Sequence, residues 1–91
     1  MANVLKNVAT VGFEEKNDML VTVSPGDVGS GIQIELTSPV MKQYGKHITD
    51  IIKKCVQAAD IDDAVLIVKD KGAWDYTITA RVQAALARGL K

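Results

Sequence analysis

Hydrophobic and polar positions along this chain change period several times, and each change marks an element. Residues 1–13 alternate loosely and read as a first strand. After the turn signal Asn17-Asp18 comes Met19-Leu20-Val21-Thr22-Val23, a β-branched run that reads as a second strand. Together the two predict an antiparallel hairpin around the polar stretch Glu14-Glu15-Lys16-Asn17. Ser24 to Gly31 is a loop, because Pro25 fixes its φ and the glycines admit positive φ. Ile32-Gln33-Ile34-Glu35-Leu36 then alternates strictly, which predicts a third strand with one buried side.

At Ser38-Pro39 the period lengthens. Ser38 suits an N-cap, and Pro39 suits the first helical position, where its missing N–H costs nothing. Val40, Tyr44, His47/Ile48, Ile51/Ile52, Cys55/Val56 and Ala59 recur at three- and four-residue steps, so a helix with one apolar stripe should run to Ala59-Asp60. Asp63-Ala64-Val65-Leu66-Ile67-Val68 is a continuous apolar run that reads as a strand buried on both faces, ended by the turn Asp70-Lys71-Gly72. Over 74–79 strand and helix signals compete. The helical spacing of Trp74, Ile78, Val82 and Ala85/Leu86 favours a helix from about 75 to 88, ended by Gly89. The expected fold is α+β in the order β-β-β-α-β-α, a small sheet with two helices stacked on one face, in a single domain over residues 1–91.

Composition narrows the function classes. Eleven Lys+Arg balance eleven Asp+Glu, and that zero net charge argues against a nucleic-acid binder or an electrostatic membrane-surface role. With four aromatics in all, Phe13, Tyr44, Trp74 and Tyr76, aliphatic side chains must fill the core. The lone Cys55 excludes an internal disulfide and fits a reducing, cytoplasmic setting. No apolar run is long enough to span a bilayer, and MANVLKNVAT has no secretion-signal pattern.

Candidate chemistry is sparse. His47 and Cys55 lie eight residues apart on one predicted helix, about 12 Å along its axis, so they cannot form a catalytic pair. Cys55 is expected to be buried and His47 to be structural or at the surface. Asp60, Asp62 and Asp63 lack the glycine and distant glutamate of a calcium loop and read as a solvated connection. Gly26 to Gly31 is followed by a strand, not by the helix a phosphate cradle needs, so a flexible surface loop is expected. Asp70-Lys71-Gly72-Ala73-Trp74-Asp75-Tyr76 is the most unusual segment, a turn carrying both charge signs and two aromatics. Trp74 and Tyr76 are expected in the core, with a docking surface as the alternative. Arg81 and Arg88, seven residues apart, share a helix face that reads either as solvated or as able to bind a carboxylate or phosphate. No catalytic set emerges, which favours a carrier or interaction module over an enzyme.

Three stretches resemble the acyl carrier protein, or gamma subunit, of bacterial citrate lyase. They are Asp18-Met19-Leu20-Val21-Thr22-Val23-Ser24-Pro25, Ser38-Pro39-Val40-Met41-Lys42-Gln43-Tyr44-Gly45-Lys46-His47-Ile48, and Asp70-Lys71-Gly72-Ala73-Trp74-Asp75-Tyr76 with Ala80-Arg81 downstream. The resemblance runs from about residue 7 to 89, and the last stretch is its most specific part.

The resemblance implies a non-catalytic subunit. It would present acetyl and citryl thioesters to an alpha (transferase) and a beta (lyase) subunit, in the cleavage of citrate to acetate and oxaloacetate. It also implies an arm, a phosphoribosyl-dephospho-coenzyme A group on a serine hydroxyl; the residues expected to form an interaction surface are Asp70, Lys71, Gly72, Trp74, Asp75 and Arg81. At the attachment segment Gly12-Phe13-Glu14-Glu15-Lys16-Asn17-Asp18, however, Gly12, Glu15 and Asp18 match the family's pattern while Lys16 stands where the serine is expected. Lysine has no hydroxyl for a phosphodiester, and Thr10, Ser24 and Ser30 lack the flanking context. A divergent relative that acts by docking, without the arm, is therefore the alternative expectation.

Overall fold

The computed structural model describes residues 3–91. Its elements are β1 (Ala9–Gly12), β2 (Met19–Pro25), β3 (Ile32–Thr37), α1 (Met41–Ala58), β4 (Ala64–Asp70) and α2 (Asp75–Gly89), the order expected from the sequence. The strands form one sheet in the order β1-β2-β4-β3. β1 and β2 are antiparallel, with Gly12 opposite Leu20, and β2 runs antiparallel to β4, with Met19 opposite Asp70. β3 pairs parallel to β4, so α1 is the crossover that two parallel neighbours require.

One face of the sheet carries the core. Met19, Val21 and Val23 of β2 and Ala64, Leu66 and Val68 of β4 are all fully buried. Ile48, Ile52, Cys55 and Val56 of α1 and Ile78, Val82, Ala85 and Leu86 of α2 close over them. α2 lies on β1 and β2, α1 lies beside β3, and the helices pack on each other. Among the described residues, no helix is long and apolar enough to cross a membrane.

Several details differ from the sequence reading. The first strand is confined to Ala9–Gly12, and residues 1 and 2 of the longer expected run lie outside the described residues. β4 is not buried on both faces. Its burial alternates, with Val65 half-buried and Ile67 exposed, because both helices occupy the same side. α1 starts at Met41, not at Pro39, and Val40 is its N-cap residue. Ser38 is diverted from capping: its hydroxyl donates to Asp70 Oδ2 at 2.6 Å and accepts the Val40 N–H at 3.2 Å. The competition over 74–79 resolves as helix from Asp75, while Gly89 lies inside α2 with Leu90 as the C-cap.

Candidate functional site

The topology gathers the singled-out segments at one end of the sheet. β1 leads into the 13–18 turn there, β3 leads into α1, and β4 leads into α2. The 13–18 turn and the turn after Asp70 are tied by two backbone bonds, Asn17 N–H to Lys71 O at 2.8 Å and Lys71 N–H to Asp18 O at 3.0 Å. Lys16, Lys71, Gly72, Trp74 and Asp75 therefore belong to one surface, although about fifty residues of chain separate the two turns.

The base of the 13–18 turn is firmly built. Gly12 has φ +95°, and a Cβ there would lie 1.9 Å from the Met19 carbonyl oxygen. Asn17, with φ 62°, completes the reversal, a conformation that asparagine tolerates better than most residues. Below it, Arg81 Nε and NH2 donate to the two carboxylate oxygens of Asp18, each at 2.9 Å. The Arg81 guanidinium, helped by the Met19 N–H, holds the Asp18 carboxyl below its ordinary range against the opposing effect of burial, and Asp18 in turn raises Arg81. Arg81 thus clamps α2 to the hairpin and is not a free anion-reading group paired with Arg88. Lys16 sits at the tip of the turn, exposed, and is in none of the ion pairs among the described residues.

The 70–75 segment divides into buried and exposed parts. Asp70 is 1 % exposed, and its second oxygen accepts the Ala73 N–H at 2.9 Å, so it fixes the turn and joins it to Ser38. Lys71, Trp74 and Asp75 are exposed, and Gly72 takes φ +86° facing Asn17. Asp75 meets His47 Nε2 at 2.9 Å across the mouth of a cleft of about 460 Å³ between the two helix N-termini. Val40, Tyr44, Ile48, Trp74 and Ile78 supply the apolar part of its lining.

Trp74 and Tyr76 are not core residues. They are 61 % and 74 % exposed, and Phe13 and Tyr44 are exposed as well. All four aromatics of the chain lie at this end, in the 13–18 turn and at the starts of α1 and α2. Phe13, Tyr44 and His47 were not legible as neighbours of the 70–75 segment, because the pairing of β2 with β4 brings Phe13 there and the β3–α1–β4 crossover brings Tyr44 and His47.

Elsewhere the residues are structural. Cys55 is buried, which pushes its thiol up. Asp63 Oδ1 accepts the Gly29 and Gly31 N–H groups at 3.1 and 2.8 Å, so an Asp latches the glycine loop. No cluster able to hold a metal ion occurs among the described residues.

The phosphodiester arm implied by the resemblance does not fit residue 16, whose side chain ends in an amine. The nearby hydroxyls are otherwise placed: Thr10 and Thr22 bond to each other at 3.1 Å on the sheet, and Ser30 donates to Asp27 O at the opposite end.

Comparison with known proteins agrees with this architecture. The citrate lyase acyl carrier protein of Streptococcus equi subsp. equi (strain 4047) is 44 % identical over 84 residues, spanning 92 % of this chain and 81 % of that protein. That of Halothermothrix orenii is 38 % identical over 87 residues, covering 96 % and 90 %. A crystal structure of a Pseudomonas malonate decarboxylase hetero-tetramer in complex with malonate contains a chain of the same fold. Its TM-score is 0.75 at 15 % identity, over 96 % of this chain and 88 % of that one. Residues 6–89 match the family model described as malonate decarboxylase delta subunit (MdcD), an acyl carrier family, and with the identities above this places the chain in the family of citrate lyase acyl carrier proteins and malonate decarboxylase delta subunits.

Proposed function

We propose that this chain is a carrier-type small subunit of a citrate-lyase-like complex, which docks onto larger catalytic subunits through the end of the sheet described above. The observation that carries the reading is the exposure of every aromatic side chain at that one end. Aromatic residues are costly to leave in water, and they anchor protein interfaces out of proportion to their number. Charges of both signs surround them, with Lys16, Lys71 and Asp75 exposed, as at the polar rim of an interface.

In its finer form the reading takes acetyl and citryl as the acyl groups and an alpha transferase and a beta lyase as the partners, in the cytoplasm. Identity to citrate lyase acyl carrier proteins over most of the chain supports this form. The phosphodiester arm is not part of it, because Lys16 offers no hydroxyl. The same lysine favours the second reading, a subunit that acts by docking alone.

The test is co-purification of this chain from its native host with larger catalytic subunits. Trp74→Ala and Tyr76→Ala together should weaken binding at least tenfold by titration calorimetry, with the unfolding midpoint unchanged. Binding unaffected by both substitutions removes this surface from the proposal.

A further inference from the structure

We infer that the free edge of β3 is a second docking surface, which takes an extended acidic segment of another protein as an added strand of the sheet. This surface lies along the side of the sheet and goes beyond the aromatic end proposed above.

The sheet order β1-β2-β4-β3 leaves two outer edges, and they are not equivalent. β1 has four residues and stops at Gly12, whose φ of +95° breaks the extended run. β3 has six residues, Ile32–Thr37, with no proline, glycine or lysine among them. Those are residues by which sheets blunt an edge. Pairing to β4 uses one side of the β3 backbone, so alternate N–H and C=O groups point outward. Among the described residues, no backbone hydrogen bond outside the ladder engages residues 32–37. Ile32, Ile34 and Leu36 pack against the core yet stay half-buried, which leaves apolar surface at this rim.

Charge selects the occupant. On α1, His47 reaches Asp75 of α2, while Ile48 and Ile52 face the core. At about 100° of turn per residue, Lys42, Lys46 and Lys53 fall on the flank of α1 turned away from α2. α2 lies over β1 and β2 and α1 lies beside β3, so that flank overhangs the β3 edge. All three lysines are exposed, and none is in an ion pair among the described residues. From Lys42 to Lys53 the helix rises about 16 Å, the length of about five strand residues. A second copy on this edge would set lysines against lysines. A strand with Glu at alternate positions instead turns its carboxylates to the lysines, and its methylenes cover Ile32, Ile34 and Leu36. Main-chain bonds then supply the affinity, and the carboxylates choose the partner.

The experiment is a nuclear magnetic resonance titration of the isotope-labelled full chain at low salt. The probes are the end-blocked peptide Glu-Val-Glu-Val-Glu-Val-Glu and its counterpart with Lys in place of Glu. The expected result is amide shifts in residues 32–37 and on the lysine flank of α1 with the acidic peptide alone. Lys42→Gln, Lys46→Gln and Lys53→Gln together should weaken that binding about tenfold, the sum of three exposed ion pairs. Circular dichroism checks that the variant folds. The inference is overturned by unmoved 32–37 amides at millimolar peptide, by an equal response to both peptides, or by affinity that the triple variant leaves intact. It is equally overturned by a chain that forms dimers through β3 without any peptide. The aromatic end is tested separately, by its own calorimetry, and neither result decides the other.

Discussion

Asp70 offers a sharp test, because it is buried inside a segment that otherwise looks like a surface. Its carboxylate accepts one bond from the Ser38 hydroxyl at 2.6 Å and one from the Ala73 N–H at 2.9 Å. Asp70→Ala removes both bonds and leaves two half-buried donors without partners. At about 1.5 kcal/mol for each bond to a charged acceptor, the loss is about 3 kcal/mol. With a urea m-value of about 1 kcal/mol/M for a domain of this size, the midpoint should fall by about 3 M. Ser38→Ala removes the shared bond to Asp70 and the long bond from the Val40 N–H at 3.2 Å, and should cost about 2 kcal/mol, less than Asp70→Ala. The two substitutions should not add, because they share a bond, and a double-mutant cycle should return at least about 0.5 kcal/mol of coupling. The assay is urea unfolding followed by far-ultraviolet circular dichroism. An Asp70→Ala midpoint within 0.5 M of the parent would refute the structural role (about 0.5 kcal/mol at that slope).

Two further outcomes follow from the hairpin base. Asp18 has its carboxyl held below the ordinary range in the folded chain, so its contribution is fully present above the unfolded value and fades as pH falls through the lowered one. Asp18→Asn should therefore cost about 1 kcal/mol at neutral pH, a figure kept small by solvent screening at the partly exposed Arg81, and the gap from the parent should close in acid. Thermal melts across a pH series measure this, and a gap that widens on acidification contradicts it. Gly12→Ala should destabilise far more than Gly29→Ala. Both glycines have positive φ, but only at Gly12 does the new Cβ meet backbone, while Gly29 has nothing within 4 Å. Gly29→Ala should cost about 1–2 kcal/mol of backbone strain, and Gly12→Ala at least about twice that. Equal melting temperatures for the two variants would exclude the contact as the cause.

The order of elements was legible because each has its own period. Ile48, Ile52, Cys55 and Val56 repeat at helical steps, and Met19, Val21 and Val23 alternate at strand steps. The errors have physical sources. The run Ala64–Val68 reads as doubly buried because both of its faces are apolar, yet both helices cover one side of the sheet, as the order of elements suggests, and leave Ile67 exposed on the other. Ser38 reads as a helix cap because a cap needs only local partners, whereas its actual partner, Asp70, is 32 residues away. Trp74 and Tyr76 read as core because large aromatics usually are, but the interior here is closed by aliphatic side chains alone. The candidate site was legible only in pieces. Lys16 and the 70–75 segment could each be singled out, while their adjacency depends on β2 pairing with β4, a long-range register that no local pattern encodes.

The straps that hold the chain's start to its finish set a direction for the whole molecule. Lys6 and Asn7 N–H both donate to Gly89 O, at 2.8 and 3.0 Å, and Asn3 bonds to Asp60 O. These contacts lie where α2 finishes, having started beside the 13–18 turn, so about 22 Å of helix separates them from that turn. Handles fused to either end would hang from the same pole. A chain immobilised by such a handle would stand with Lys16 and the aromatic cluster facing the solution, oriented for partner capture without further engineering.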